Sequence, residues 1–568
     1  MTEKRSVSKR QSDEKRAPVS FTPFNVAEGD LWQRIMELPD PREAVRRLSR
    51  QDYYWLVKKM DDQRPLLLVL GSEQQWQHLL DMDVWNGDRI DGVRLEGWVE
   101  QFMESDPERF VPWFLTDGLF LAYRYLYGAV EVITIDPADD DGVEVPEGFF
   151  SIDSVIFVRP RDEELYPVVR SLLETMADFD QRRYEWVLMT LGGIIPAEME
   201  EEMYHFRKAR LADDGFLPFN EALEIYAPLD PADLGTDRDH RFIDSRPDME
   251  EDDKYAVPRL PLAHAGSLNL LGRAMERISD TATFDRLCFE FAGLGNRIVV
   301  ADGLTGRELE ELTTAGGKAA AYVSLALEEL YGGDEMEAEK ALRLHPLSSL
   351  FRVGYGFVAD IAREARRFVG EGWFREAGIA TSFWGEPEDS MLSGLLAGRP
   401  KFYDMSSDHA GYREFEYTRD LESCRAALDD LLVLDRLFAQ LDRAYPLDRN
   451  LAVSPGITFR QLLLTFFARM MTGAEPGYFG LSPSSARQFL ELARRGESGP
   501  PYRMSRLSGE FATAFTPFME NETPRRKEML GNVLASVWRE FQEEYEMVAG
   551  DDLKARYSRL ILIEEPEK

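Results

Sequence analysis

The stretch Tyr53-Tyr54-Trp55-Leu56-Val57-Lys58-Lys59-Met60 decides how this chain folds. Tyr53, Leu56, Val57 and Met60 fall at i, i+3, i+4 and i+7, the spacing of one face of an α-helix. The same spacing recurs on either side. Ala44, Val45 and Leu48 carry it upstream. Downstream, Ser72 and Gln75 form a capping box ahead of Trp76, Leu79 and Leu80. Leu95, Trp98, Val99 and Phe102 repeat the pattern, and Asp106-Pro107 is a cap and first-turn pair before Phe110, Val111 and Phe114. Helices this short are marginal alone, so they must stack on neighbours. Residues 25–135 therefore read as an N-terminal helical array, without an exact repeat period.

Beyond it, residues 136–142 are an acidic loop. The β-branched, apolar stretches 130–135 and 151–158 flank it and can form a small antiparallel pair. Asp139, Asp140 and Asp141 are consecutive and no Glu follows at the EF-hand spacing, which argues against calcium. Helices resume with Leu165, Val168, Val169, Leu172, Leu173 and Met176, then Tyr184, Val187, Leu188 and Leu191, ended by Gly192-Gly193. Pro196 opens a charged helix to Leu211. Glu198, Glu200, Glu201 and Glu202 lie near its start and Arg207, Lys208 and Arg210 at its end, in the order that suits the helix dipole. Asp213-Asp214-Gly215 stops it.

Together with the β pair, this makes a middle region over 136–228. Residues 229–261, rich in proline and acid, read as a linker and domain boundary, and 262–568 as a C-terminal helical region. There Leu421, Cys424, Leu428, Leu431 and Leu434 form one stripe. Thr458 with Gln461 caps a helix that Gly473 ends. Thr523-Pro524 starts what reads as the longest helix, held by Leu530, Val533, Leu534, Val537, Phe541, Tyr545 and Val548 until Gly550. The expected fold class is mostly α: stacked helical hairpins in a superhelix-like array, with a small β pair near 130–158.

Length and charge narrow the function. At 568 residues the chain is too long for one core. A net charge of -36 repels nucleic-acid backbones and anionic lipid. The exception is the stretch 1–24, where Lys4, Arg5, Lys9, Arg10, Lys15 and Arg16 face only Glu3, Asp13 and Glu14. It reads as a disordered basic tail, either a solvated extension or a tether to an acidic partner. Cys288 and Cys424 sit far apart in apolar helical patterns, as small buried hydrophobes rather than disulfide or zinc ligands. Residues 1–18 lack the apolar core of a signal peptide. The most apolar windows, 119–135 and 462–471, are short or broken by Arg124, Glu131 and Arg469. A cytoplasmic protein with a protein partner is expected.

The chemical motifs fail on spacing or context. Glu202-x-x-His205 has the spacing of a di-iron ligand pair, but no second such pair exists. Gly354-x-Gly356-x-x-Ala359 imitates a dinucleotide-binding turn, yet His345 to Val353 before it reads as the start of the same helix rather than a strand. Gly316-Gly317-Lys318 lacks the first glycine and the Ser/Thr of a P-loop. No nucleophile elbow, zincin motif or Cys-x-x-Cys occurs. No catalytic residue, metal or cofactor is assigned. An enzyme built on carboxylates alone stays open as an alternative. The polar residues within the apolar run 289–302 are the binding candidates: Glu290, Asn296, Arg297 and Asp302. Glu290 and Arg297 lie seven apart on one helical face with Gly293 leaving room between. That arrangement suits an ion pair clamping helices, or else a polar pocket.

Several stretches together are similar to the uncharacterised bacterial family called domain of unknown function 6178. They are Leu38-Pro39-Asp40-Pro41 with Ala44 to Leu48, Arg210 to Phe216 with Glu221 to Tyr226, Asn296 to Asp302, His345-Pro346-Leu347 with Leu350 to Gly354, and the ending from Asp552 to Ile563. The resemblance covers nearly the whole chain after the tail and implies no activity. The N-terminal array also resembles, in fold only, the cytoplasmic helical domain of MgtE magnesium transporters. Two functions follow as expectations. The first is an interaction or scaffold protein using stacked helices. The alternative is an enzyme or small-molecule binder with a polar pocket between helices.

Overall fold

The computed structural model describes residues 28–135, 145–235, 257–265, 269–405, 411–495, 497, 499–548, 553 and 558–564. The basic tail, the acidic loop from Asp136 and most of the 229–261 linker lie outside them. Helices dominate, joined by short antiparallel strands. The chain divides into two compact units, residues 1–352 and 353–568, and the division falls inside the helix Leu347–Glu371.

The first unit begins as the hydrophobic spacing dictates, with short helices at Pro41–Arg46, Arg50–Lys59, Arg64–Leu70, Glu73–Asp83, Gly92–Ser105, Pro107–Phe114 and Leu119–Ala129. Their starts are chemically marked. Ser49 and Asp91 accept the N–H of Asp52 and Arg94. The Ser72–Gln75 box is complete, since each side chain bonds the other residue's backbone N–H. The apolar faces meet on an aromatic core. Trp76 lies edge-on to Phe102, at 5.1 Å between ring centroids. Phe110 stacks on Phe102 at 4.7 Å and on Phe114 at 4.8 Å. Burying such rings contributes about 1.5–3 kcal/mol each, which is what makes helices of ten residues persist.

The small β element is present and larger than the pair expected. Val130–Thr134 runs antiparallel to Ile156–Pro160, with Val130 opposite Pro160 and Thr134 opposite Ile156. Phe150–Ser151 adds a third strand on the other edge of Ile156–Pro160. Two further hairpins, Trp85–Asn86 with Arg89–Ile90 and Phe402–Asp404 with Gly411–Arg413, are strands of two or three residues. That is too short to show alternation. The unit continues through Tyr166–Phe179, Gln181–Thr190 and the charged helix Pro196–Ala212, then to the long antiparallel neighbours Thr281–Ala301 and Leu309–Tyr331.

The second unit is organised on Thr418–Ala444, at 27 residues longer than Pro524–Tyr545 at 22. The expectation of the longest helix after Thr523-Pro524 is thus corrected. That helix ends at Tyr545, whereas the Leu421–Leu434 stripe runs on through Leu437, Phe438 and Leu441, all buried. Thr458 and Gln461 close their capping box, and Gly473 follows the helix Phe459–Met471 at φ +72°. The run 347–371 is one helix, so Gly354 and Gly356 lie within it and not in a strand-to-helix turn. The core is again aromatic: Phe467 touches Phe489, Phe511 and Trp538 at 5.1–6.0 Å. Cys288 and Cys424 are both buried, and burial pushes each thiol up to about 12, leaving them unreactive. Among the described residues no helix is long and apolar enough to cross a membrane.

Truncating the hub of this second core, Phe467→Ala, is expected to lower stability by about 3–5 kcal/mol. Urea unfolding followed by tryptophan fluorescence measures it. A loss under about 1 kcal/mol would show that Phe467 is not central.

Candidate functional site

The helix Thr281–Ala301 starts on the cap Asp280 and buries Leu287, Phe291, Leu294 and Ile298. Its polar positions receive the chain that returns from the charged helix. Gly215, at φ +94°, lies against Gly293 so closely that a Cβ there would stand 2.6 Å from the Gly293 carbonyl oxygen and 2.7 Å from its Cα. The room left by Gly293 is therefore filled by backbone. One turn on, Asn296 Nδ2 donates to the Asp214 carbonyl at 2.7 Å. Arg297 donates to the Glu221 carbonyl at 3.0 Å. Asp302 accepts from Tyr226 Oη at 2.7 Å and from Lys318 Nζ at 2.5 Å, with Lys318 almost wholly buried. Lys318 is the lysine of the failed P-loop motif and sits mid-helix.

Glu290 takes a different partner from the one its spacing suggests. It accepts from Arg286 at 2.7 Å and from the Leu347 N–H at 3.0 Å, while Arg297 bonds the Glu221 backbone. Arg286, four residues away, is nearer along the helix than Arg297, seven away, and Glu290 accepts the first N–H of the helix Leu347–Glu371. The structure thus brings Asn296, Arg297 and Asp302 together against the returning segment 214–226, while Glu290 holds the start of 347–371. Glu202 and His205 are both exposed. Among the described residues no group of three or more His, Cys, Asp or Glu side chains is placed to hold a metal.

Other polar residues escaped the sequence pattern. Asp81 is buried and receives both Arg210 Nε and Nη2, at 2.6 and 2.7 Å. Asp83 accepts from Lys58 at 2.8 Å and Trp98 Nε1 at 2.7 Å. The buried Asp52 carboxylate accepts the backbone N–H of Arg259 at 3.0 Å and of Leu260 at 2.8 Å. Burial outweighs those bonds and pushes its pKa up to about 6. Asp214 goes the other way. Burial would raise it, but His78 Nδ1 and Arg50 Nη2, each 3.3 Å away, hold it below its ordinary value. No signal could have linked Asp81 to Arg210 across 129 residues. The glycine after Asp213-Asp214 was visible only as a helix stop.

Beside this junction lies a cavity of about 100 Å³ at the starts of Arg50–Lys59 and Glu73–Asp83, with Arg46, Arg50, Gln51, Gln74, Asp214 and Phe289 in its wall.

The chain belongs to a family of unknown function, DUF6178, whose model matches residues 25–564. No curated protein and no solved structure matches it.

Two outcomes follow from this geometry. Gly215→Ala is expected to cost about 2–4 kcal/mol, combining left-handed strain with overpacking, read from urea midpoints. A neutral change would show that the turn is not clamped on Gly293. Asp52 ionises near pH 4 when unfolded but near 6 when folded. Its contribution to stability is therefore fully present below about pH 4 and lost as pH rises through 6. Asp52→Asn should gain thermal stability relative to the parent between pH 4.5 and 7.5, and a difference independent of pH would contradict the assignment.

Proposed function

We propose that this member of the family is a helical interaction protein, cytoplasmic, that binds a protein partner through an aromatic strip on its first unit. The observation that carries the reading is a run of large apolar side chains left in solvent. Phe206 of the charged helix stacks on Phe120 at 6.4 Å. One turn further along its helix, Tyr123 packs under Trp186 at 6.0 Å. Met189 follows Trp186 by one turn, and Ile195 precedes Phe206 by three. Trp186 is 53% exposed, Phe206 49% and Met189 56%. A half-exposed tryptophan beside other exposed apolar side chains supports an interaction surface, since scattered single apolar residues are the norm on a protein surface.

The rim gives the partner its chemistry. Glu198, Glu201 and Glu202 are exposed on the helix that carries Phe206. With a net charge of -36, a second copy would meet strong like-charge repulsion at this rim. A partner segment with apolar anchors between lysines or arginines fits both the strip and its border. In this reading Glu290, Asn296, Arg297 and Asp302 serve as ties that keep the helices stacked behind the strip.

The test uses the full chain as bait in native extract with crosslinking, beside the double variant Trp186→Ser, Phe206→Ser. The expected result is a partner held by the parent, lost by the variant, released as salt rises, and crosslinked through a basic segment. Partners retained by the variant would overturn the reading. So would light scattering that shows a dimer formed through the strip.

A further inference from the structure

In the second unit the segment Ser558 to Glu564 lies against the helix Phe459–Met471 in a seat made largely of backbone. Leu481 donates its N–H to the Leu562 carbonyl at 2.8 Å, and its own carbonyl accepts the Glu564 N–H at 2.8 Å. That is the bonding of one parallel strand on another, with Leu481 opposite Ile563. Thr465 is wholly buried and is the one polar residue between Leu462 and Ala468. Its Oγ1 accepts the Leu562 N–H at 2.9 Å. Gly480 leaves the room, since a Cβ there would stand 3.2 Å from the Glu564 nitrogen and 3.4 Å from the Ile563 carbonyl carbon.

The seat is preorganised, while its occupant is held lightly. Arg469 pins the loop beside it, donating to the carbonyls of Glu475 at 2.8 Å and Gly480 at 3.2 Å. Within the segment 558–564 only Leu560 and Ile561 are buried. Two apolar anchors and a few backbone bonds stand against the entropy of ordering the whole segment. Phe479, next to Gly480 on the pinned loop, stays 64% exposed with the segment in place. The resident thus leaves an aromatic ring uncovered that a larger occupant would bury. Backbone bonds do not read sequence, so an extended segment with two apolar anchors meets the same donors and acceptors. We propose that this seat is a docking site for an extended, apolar-anchored segment of a protein partner, and that the chain's own 558–564 fills it as an intramolecular stand-in which the partner displaces.

The probe is a labelled synthetic peptide of residues 556–567, followed by fluorescence anisotropy. Ile561→Asp in the full chain puts a charge at a buried anchor and should empty the seat. That variant should bind the peptide saturably and about tenfold or more tightly than the parent, whose seat is filled. Adding Gly480→Val, which crowds the seat, should abolish the binding, as should Ile561→Asp within the peptide itself. Hydrogen exchange on the parent is the second measurement and needs no variant. The Leu562 and Glu564 amides should exchange about tenfold or more faster than those of Leu464 and Phe467 inside the helix. A vacated chain that melts with the parent yet shows no saturable binding overturns the proposal. So does binding that Gly480→Val leaves unchanged. Exchange at Leu562 and Glu564 as slow as at Leu464 and Phe467 overturns it as well, and decides alone should Ile561→Asp melt early.

Discussion

The contact of Gly215 on Gly293 is the constraint on which the first unit's interior rests. Two backbones meet with no side chain between them, and only a residue without Cβ can sit at φ +94° so near a carbonyl. Because the turn is held there, Asn296 reaches the Asp214 carbonyl, and Asp214 in turn reaches Arg50 and His78 on the opening helices. Arg210, just before the turn, reaches Asp81. A single close approach thus joins the early array, the charged helix and the long helix Thr281–Ala301.

The way buried charge is handled follows from that. An acidic chain cannot keep every carboxylate on its surface and must neutralise those it buries. Asp81 and Asp302 are matched by Arg210 and Lys318, and Asp83 by Lys58. Asp52 has two backbone N–H groups instead, and burial pushes its pKa up to about 6. A cation offsets the loss of solvation directly, while two peptide dipoles offset only part of it. Such pairs add little net stability over apolar packing. Their effect is on specificity, since each permits one register between helices.

What could be read in advance was local. Caps, stripes and stops are written within a few residues, so Ser72 with Gln75, Thr458 with Gln461 and the Leu421–Leu434 stripe were legible as helices. The strand pair near 130–158 was legible because β-branched residues cluster there, whereas Trp85–Asn86 offers two residues and no period. Helix length was misjudged where a charged surface hid a continuing apolar face, as in Thr418–Ala444. The candidate residues of 290–302 were legible as polar groups in an apolar run, but their partners were not. Lys318 lies 16 residues from Asp302 and Glu221 lies 76 from Arg297, and separations of that kind leave no trace in a single sequence.

This division bears on where function can lie. At the Thr281–Ala301 helix, the described polar groups hold neighbouring backbone or side chains in place. Chemistry aimed at a ligand needs groups that are preorganised yet still able to meet it. On the reading proposed above, one place on the first unit has that character. The aromatic strip leaves rings in water that the helices behind it could have covered, and it stands on elements fixed by the Arg124–Glu200 pair at 2.6 Å. The strip is carried on helices rather than loops, so its geometry is set before any partner arrives, and less ordering is lost on binding. The same stacking that makes short helices stable also makes them precise platforms, and the proposed binding role would draw on that without requiring a catalytic motif.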